Sequence, residues 1–248
     1  MSLAGESKIS VILLDIEGTT TPIDFVSQTL FPYASRKLEV FLREHMQEAE
    51  ICSLLSELRG QHRRDEQQGL QPPAWQEETA ETQFKSTVDY LGWLIARDSK
   101  CTPLKALQGR IWQEGYARGE LCGEVYEDVP RAFARWRQQG REISIYSSGS
   151  VLAQQLLFQT TKFGDLTHYI SGFFDTQTGA KNDVASYRKI AVSLRRAPAE
   201  MFFLSDAVKE VDAAQSAGMR AALCARDPQP PNPGSFSLIH SFDELFPI

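Results

Sequence analysis

The chain has 248 residues, 42% of them hydrophobic and 23% charged, the balance of a folded globular protein long enough for one core domain plus a substantial insertion. A net charge of −6 and a pI near 5.3 exclude a broad basic surface for nucleic acid or anionic lipid, so any anionic ligand has to be captured locally. Cys52, Cys101, Cys122 and Cys224 are scattered without a Cys-x-x-Cys pair, which argues against a zinc site or disulfide framework and for reduced, buried thiols of a cytosolic protein. No apolar run approaches the ~20 residues of a membrane helix. Gly5-Glu6-Ser7-Lys8 leads straight into a short apolar strand, so neither signal peptide nor membrane anchor is expected.

The first element is Ser10-Val11-Ile12-Leu13-Leu14, a branched aliphatic run that stops at Asp15 and reads as a buried parallel strand. From Thr21 to about Val125 the strand pattern gives way to stretches rich in Leu, Glu, Gln, Arg and Lys, which predict a helical insertion. Phe31, Leu38, Phe41 and Leu42 fall near a 3.6 period, Gly60 to Pro73 reads as a solvated loop or frayed helix end, and Thr102-Pro103 reads as the start of a helix holding Leu107, Ile111 and Trp112. Asp128, as a cap with Pro130 in the first turn, opens a helix that ends near Gly140. Ile143 to Tyr146 is a second strand, followed by a helix capped by Ser150; a further helix runs from about Asp183 to Arg196. Met201 to Leu204 is a strand, Ala207 to Gly218 a helix and Ala221 to Cys224 a weaker strand. The alternation predicts an α/β fold: a doubly wound, Rossmann-like parallel sheet with an inserted all-helical cap domain. The expected boundaries are 1–21 with 126–248 for the core and 22–125 for the cap, leaving the sheet beside Asp15.

The strands ending at Leu14, Tyr146 and Leu204 are followed by residues suited to phosphate chemistry. Asp15 and Glu17, one residue apart at a strand end, are awkward as core because each unpaired buried charge costs several kcal/mol; a divalent cation removes the difficulty, while an acidic turn is the bland alternative. Asp206, after a third apolar run, suits an oxygen-rich magnesium site and equally a helix cap. Ser147-Ser148-Gly149 offers a hydroxyl and closely spaced backbone N–H groups for phosphate. Lys181, in most proteins an exposed lysine, supplies the positive charge that a transferring phosphoryl group needs.

Together these residues resemble the four motifs of the haloacid dehalogenase superfamily in order. Thr20-Thr21-Pro22-Ile23, Phe31-Pro32-Tyr33-Ala34, Leu107-Gln108-Gly109-x-Ile111-Trp112, Tyr146-Ser147-Ser148-Gly149-Ser150, Phe173-Phe174-Asp175-Thr176 and Ser186-Tyr187-Arg188-Lys189-Ile190 are similar to the enolase-phosphatase (acireductone synthase) family of methionine salvage, over nearly the whole chain. Glu17, where most of the superfamily has Asp, fits that family and disfavours a dehalogenase.

The resemblance implies a substrate, 2,3-diketo-5-methylthiopentyl-1-phosphate, that is enolised and then dephosphorylated to the acireductone. It implies Asp15 as nucleophile through an aspartyl phosphate, one Mg²⁺ per subunit held by Asp15, Glu17 and Asp206, and phosphoryl oxygens held by Ser147, Ser148 and Lys181. Glu17 is the candidate acid and base, with its backbone carbonyl as the group that could bind the metal; acid catalysis near neutrality would need its pKa raised from about 4.3. Lys105, Gln108 and Trp112 are cap candidates for reading the substrate, Trp112 equally a core residue. The resemblance further implies a cytoplasmic monomer acting on a small phosphorylated diketone, with no nucleic-acid or membrane partner. The alternative is a phosphatase of the same superfamily acting on another small phosphate ester.

Overall fold

The computed structural model describes residues 8–226, 234 and 236–247; Gly5, Glu6 and Ser7 lie outside them. The chain divides into two compact units, one of Met1–Val26 with Cys122–Ile248 and one of Ser27–Leu121.

The first unit is built on six parallel strands in the order β3-β2-β1-β4-β5-β6. These are β1 (Val11–Leu14), β2 (Glu142–Tyr146), β3 (Ile170–Phe174), β4 (Met201–Ser205), β5 (Arg220–Cys224) and β6 (Leu238–Ile239). β1 to β4 pairs Leu14 with Leu204, and β1 to β2 pairs Leu14 with Ile145. Burial of β1 on both faces explains its unbroken aliphatic run. Val11 and Leu13 pack with Tyr187, Ile190, Val211 and Ala214, while Ile12 and Leu14, equally buried, point to the opposite face by strand alternation. Four helices flank the sheet: α5 (Asp128–Gln138), α6 (Val151–Gln159), α7 (Val184–Ser193) and α8 (Val208–Ser216), numbered after the four of the other unit. The expected doubly wound parallel sheet is present.

Two strands escaped the sequence reading. β3 is partly exposed along its length, and β6 has only two residues, so neither carries the solid apolar run of the central strands. Asp128 does not cap α5; the cap position is Glu127 without a side-chain bond. The Asp128 carboxylate instead pairs with Arg226 Nη1 at 2.6 Å and accepts from Phe242 N at 2.6 Å and Ser241 Oγ at 2.9 Å.

The second unit holds α1 (Phe31–His45), α2 (Ala49–Gln67), α3 (Ala80–Ala96) and α4 (Thr102–Ala117), and no strand among its described residues. Leu38, Phe41 and Leu42 are buried as their spacing requires. α2 continues through Gln67, where the sequence left a solvated loop and a frayed helix end open. The polar run is helical because two of its members are interior: His62 is fully buried and Asp65 nearly so, with Asp65 accepting from Tyr90 OH at 2.7 Å and His62 Nε2 meeting Pro73 O at 2.8 Å. Cys101, not Thr102, occupies the cap position of α4.

The four cysteines are free, but only Cys224 is buried; Cys52 and Cys122 are exposed, contrary to the expectation of buried thiols. No helix among the described residues is long and apolar enough to cross a membrane.

Candidate active site

The sheet order reverses at β1: the chain runs outward through β2 and β3, then returns to lay β4 on the other side of β1. In doubly wound sheets the crevice at such a switch point, beyond the C-terminal strand ends, is where ligands bind. Register carries Asp15 one step past the Leu14 pairings with Ile145 and Leu204, level with the ends of β2 and β4.

Asp15 is 5% exposed and held from several directions. Its backbone N–H donates to Leu204 O at 3.0 Å, and its Oδ1 accepts from Ile16 N at 2.7 Å. Lys181 Nζ lies 2.6 Å from the same oxygen, and Ser205 Oγ lies 3.0 Å from Oδ2. The turn behind it closes on one carbonyl: Ile16 O accepts from the N–H groups of Thr19, Thr20 and Thr21, and Thr20 Oγ1 lies 3.2 Å from Asp15 O. Gly18 takes φ +66°, and a Cβ there would run into the Asp206 carboxylate. The Gly in the Asp15–Thr20 motif is therefore required twice, by backbone conformation and by the approach of Asp206.

Lys181, on the loop between β3 and α7, is 11% exposed at its side chain and also bridges to Glu210 Oε2 at 2.7 Å. Burial works against its charge, but Asp15 and Glu210 outweigh this and raise its pKa. Glu210, on the first turn of α8, completes a closed arrangement, since Ser205 Oγ lies 2.8 Å from its Oε2. Neither Ser205 nor Glu210 was singled out from sequence. The available signal was the spacing Asp206-x-x-x-Glu210, which puts two carboxylates one helical turn apart. Asp206 does not cap α8; the cap position is Ala207 without a side-chain bond. Burial, then the neighbouring charges of Asp15 and Glu210, push the Asp206 carboxyl up to about 7. Burial, then Asp15, also raises Glu210.

Ser147 and Ser148 follow β2. Ser147 is buried, donates its N–H to Phe174 O at 3.1 Å, and its Oγ accepts from Gly149 N at 3.3 Å. Ser148 is half-buried, and Ser150 caps α6 by accepting from Ala153 N. Gln154, which sequence reasoning passed over as one glutamine in an apolar helix, is 1% exposed. Its amide donates to Gly149 O at 2.8 Å and Phe174 O at 2.9 Å, tying the serine turn to the end of β3.

Asp15, Lys181, Ser205 and Glu210 are thus joined by direct contacts, and Asp206 is placed beside them by its charge coupling and by Gly18. Glu17 is half-buried on the same turn. Among the described residues, the one trio of His, Cys, Asp or Glu side chains whose ligand atoms all lie within 4.8 Å of one another is Glu44, His45 and Glu114 in the helical unit. That cluster is an ion-pair network, with His45 between Glu48 at 2.6 Å and Glu114 at 2.7 Å. Asp15, Glu17 and Asp206 do not form such a trio through their side chains. The core site fits a hard divalent cation in another way: the buried Asp15 carboxylate and the half-buried Asp206 and Glu210 carboxylates gather around the Lys181 ammonium, and burial with the charges of Asp15 and Glu210 raises the Asp206 pKa to about 7.

The cap candidates of the second unit resolve differently. Trp112 is 6% exposed and donates Nε1–H to Leu30 O at 2.9 Å, which makes it interior to that unit. Gln108 is buried and Lys105 half-buried.

A family model of haloacid dehalogenase-like hydrolases matches residues 9–218. Over 241 residues the chain is 46% identical to the enolase-phosphatase E1 of Synechococcus elongatus, covering 96% of this chain and 98% of that one. It is 42% identical over 251 residues to the enolase-phosphatase E1 of Drosophila simulans, covering 98% and 94%. Its fold matches the crystal structure of the UTR4 protein of Saccharomyces cerevisiae with a TM-score of 0.78 and 31% identity, covering 96% of this chain and 100% of that one. The chain therefore belongs to the haloacid dehalogenase-like hydrolases and, within them, to the enolase-phosphatase family.

Proposed function

We propose that the chain converts 2,3-diketo-5-methylthiopentyl-1-phosphate to the acireductone 1,2-dihydroxy-3-keto-5-methylthiopentene and phosphate, as a cytoplasmic enzyme of methionine salvage. The observation that carries the phosphatase half is Asp15: a buried carboxylate at the switch point with one oxygen on Lys181 and the other beside Ser205. Both oxygens are restrained, so an approaching phosphorus meets a fixed nucleophile, and restraint of this kind is a large part of catalysis by proximity.

In this reading Asp15 attacks phosphorus in line and forms an aspartyl phosphate, which water then hydrolyses. Ser147 Oγ, the Ser148 N–H and Lys181 hold the phosphoryl oxygens. Glu17 protonates the leaving oxygen and later takes the proton of the attacking water. Asp15, Asp206 and the Glu17 backbone carbonyl would hold one Mg²⁺. When bound, the ion neutralises charge on the phosphoryl oxygens and polarises the diketone. Keeping the Glu17 side chain off the ion reconciles its two roles, and agrees with Asp15, Glu17 and Asp206 forming no close side-chain trio among the described residues. Residues 1–21 and 126–248 carry this chemistry, and 22–125 serve as the helical cap. The enzyme works as a monomer on a small-molecule substrate.

The test is anaerobic turnover of the diketo phosphate with and without Mg²⁺, following the enol by ultraviolet absorbance separately from phosphate release. Metal-dependent enol formation that precedes phosphate release is expected. Hydrolysis of general phosphate esters without enol formation would make the substrate assignment wrong while leaving the nucleophile in place.

A further inference from the structure

The Ser186-Tyr187-Arg188-Lys189 stretch of α7 lies away from the phosphoryl chemistry, yet three of its side chains are spent on one strip of backbone. Tyr187 OH donates to Lys181 O at 2.6 Å, Ser186 Oγ to Ala180 O at 2.8 Å, and Lys189 Nζ to Thr178 O at 3.2 Å. The carbonyl between them, Gly179 O, accepts from Tyr146 OH at 2.9 Å, from the last residue of β2. Three successive carbonyls leading into Lys181 therefore end on three hydroxyls, and Tyr146, Ser186 and Tyr187 are each 1% exposed or less.

The hydroxyls are themselves immobile. Tyr187 packs edge-on against Phe203 of β4 with ring centroids 5.0 Å apart and against Tyr146 at 5.6 Å. Burial raises the pKa of both phenols, so they stay protonated donors. Gly179 has φ +148°, and a Cβ on it would overlap Ser186 Oγ; the loop backbone rests directly on the serine. A lysine ends in a flexible four-carbon stem, so its ammonium is only as well placed as the backbone at its root. Here that root sits in a loop whose own turn bonds are local, Thr178 N to Asp175 O at 3.0 Å and Asp183 N to Ala180 O at 3.0 Å.

We propose that Tyr146, Ser186 and Tyr187 are positioning residues for Lys181: a clamp of three buried hydroxyls that fixes the backbone at 179–181 and so sets the ammonium against Asp15 and Glu210. The clamp touches no reacting atom and acts only through the lysine, so it rests on the catalytic reading of Lys181 given above. It also accounts for a motif that the phosphoryl chemistry alone leaves without a task.

The experiment is a double-mutant cycle on the full chain with saturating Mg²⁺. Tyr187→Phe and Ser186→Ala are made singly and in a Lys181→Met background, and turnover is read with an activated aryl phosphate so that slow rates stay measurable. Each single change should lower kcat about tenfold to a hundredfold, the scale of an ångström-sized misplacement in an active site. In the Lys181→Met background the same changes should alter kcat by less than about twofold, because the group they position is gone. Denaturation midpoints are followed alongside; should Tyr187→Phe not fold, Ser186→Ala removes one oxygen and carries the cycle. Native kcat in both single variants would overturn the clamp, as would losses equally large with and without Lys181. Native turnover in Lys181→Met itself is a separate outcome: it would sink the catalytic reading of the lysine and, with it, the purpose assigned to the clamp.

Discussion

Asp15 is flanked by a cation on one oxygen and a hydroxyl on the other, and it cannot be replaced by a neutral isostere without losing both its nucleophilicity and its pairing. Asp15→Asn should reduce phosphate release by more than about a thousandfold while leaving the fold intact, as read by circular dichroism and burst-phase kinetics. Asp206 gives metal binding a pH dependence. With its pKa raised to about 7, it must lose a proton before it can hold a cation, so apparent Mg²⁺ affinity should weaken roughly tenfold per pH unit below 7, measurable by calorimetry in two buffers of different ionisation enthalpy. The sign for stability follows. A carboxyl raised above its unfolded value contributes stability that is fully present below the unfolded pKa of 3.8 and is lost as pH rises through about 7. The metal-free protein should therefore lose this contribution between those limits, and Mg²⁺ should restore stability at the alkaline end.

At the scale of elements, loops at the strand ends are held by side chains from the helices that follow them. Gln154 of α6 secures the turn after β2. Replacing it with leucine removes two hydrogen bonds to half-buried carbonyls, a change on the order of 1–3 kcal/mol. The expected result is inhibition by inorganic phosphate weakened by about tenfold, with the urea midpoint lowered. The Arg226–Asp128 pair does similar work on the far side of β1, since Arg226 Nε also donates to Thr19 O at 3.1 Å. Arg226→Met leaves a buried carboxylate without its cation and should cost about 3–5 kcal/mol in chemical denaturation; Asp128→Asn in the same background should recover part of it.

For the whole molecule, the prediction concerns order of events: enol formation should precede phosphate release and require the same Mg²⁺, and Lys181→Met should suppress phosphate release by more than about a hundredfold, read by the two-signal anaerobic assay. The division between what was legible in the chain and what was not follows the range of the interactions. Runs such as Val11 to Leu14 and Met201 to Leu204 announced a parallel sheet because burial on both faces demands apolar residues at every position, and the short strand-end motifs followed because they are local. Gly60 to Gln67 left loop and helix end undecided because its interior members are polar, and a buried His62 or Asp65 is recognisable only once Pro73 and Tyr90 are beside it. β3 was obscured by its partial exposure at the edge of the sheet. The amino-acid sequence by itself determined the parallel sheet, the helical insertion and the residues Asp15, Glu17, Ser147, Ser148, Lys181 and Asp206 as candidates, because strand burial and strand-end chemistry are written in contiguous residues. Only the tertiary structure decided which groups meet. Lys181 reaches Asp15 from the loop beyond β3, Ser205 and Glu210 close the arrangement from β4 and α8, and the carbonyls of residues 179–181 end on hydroxyls from β2 and α7. Such pairings depend on sheet order and register, which place distant strand ends side by side, and no local pattern in the chain encodes that adjacency.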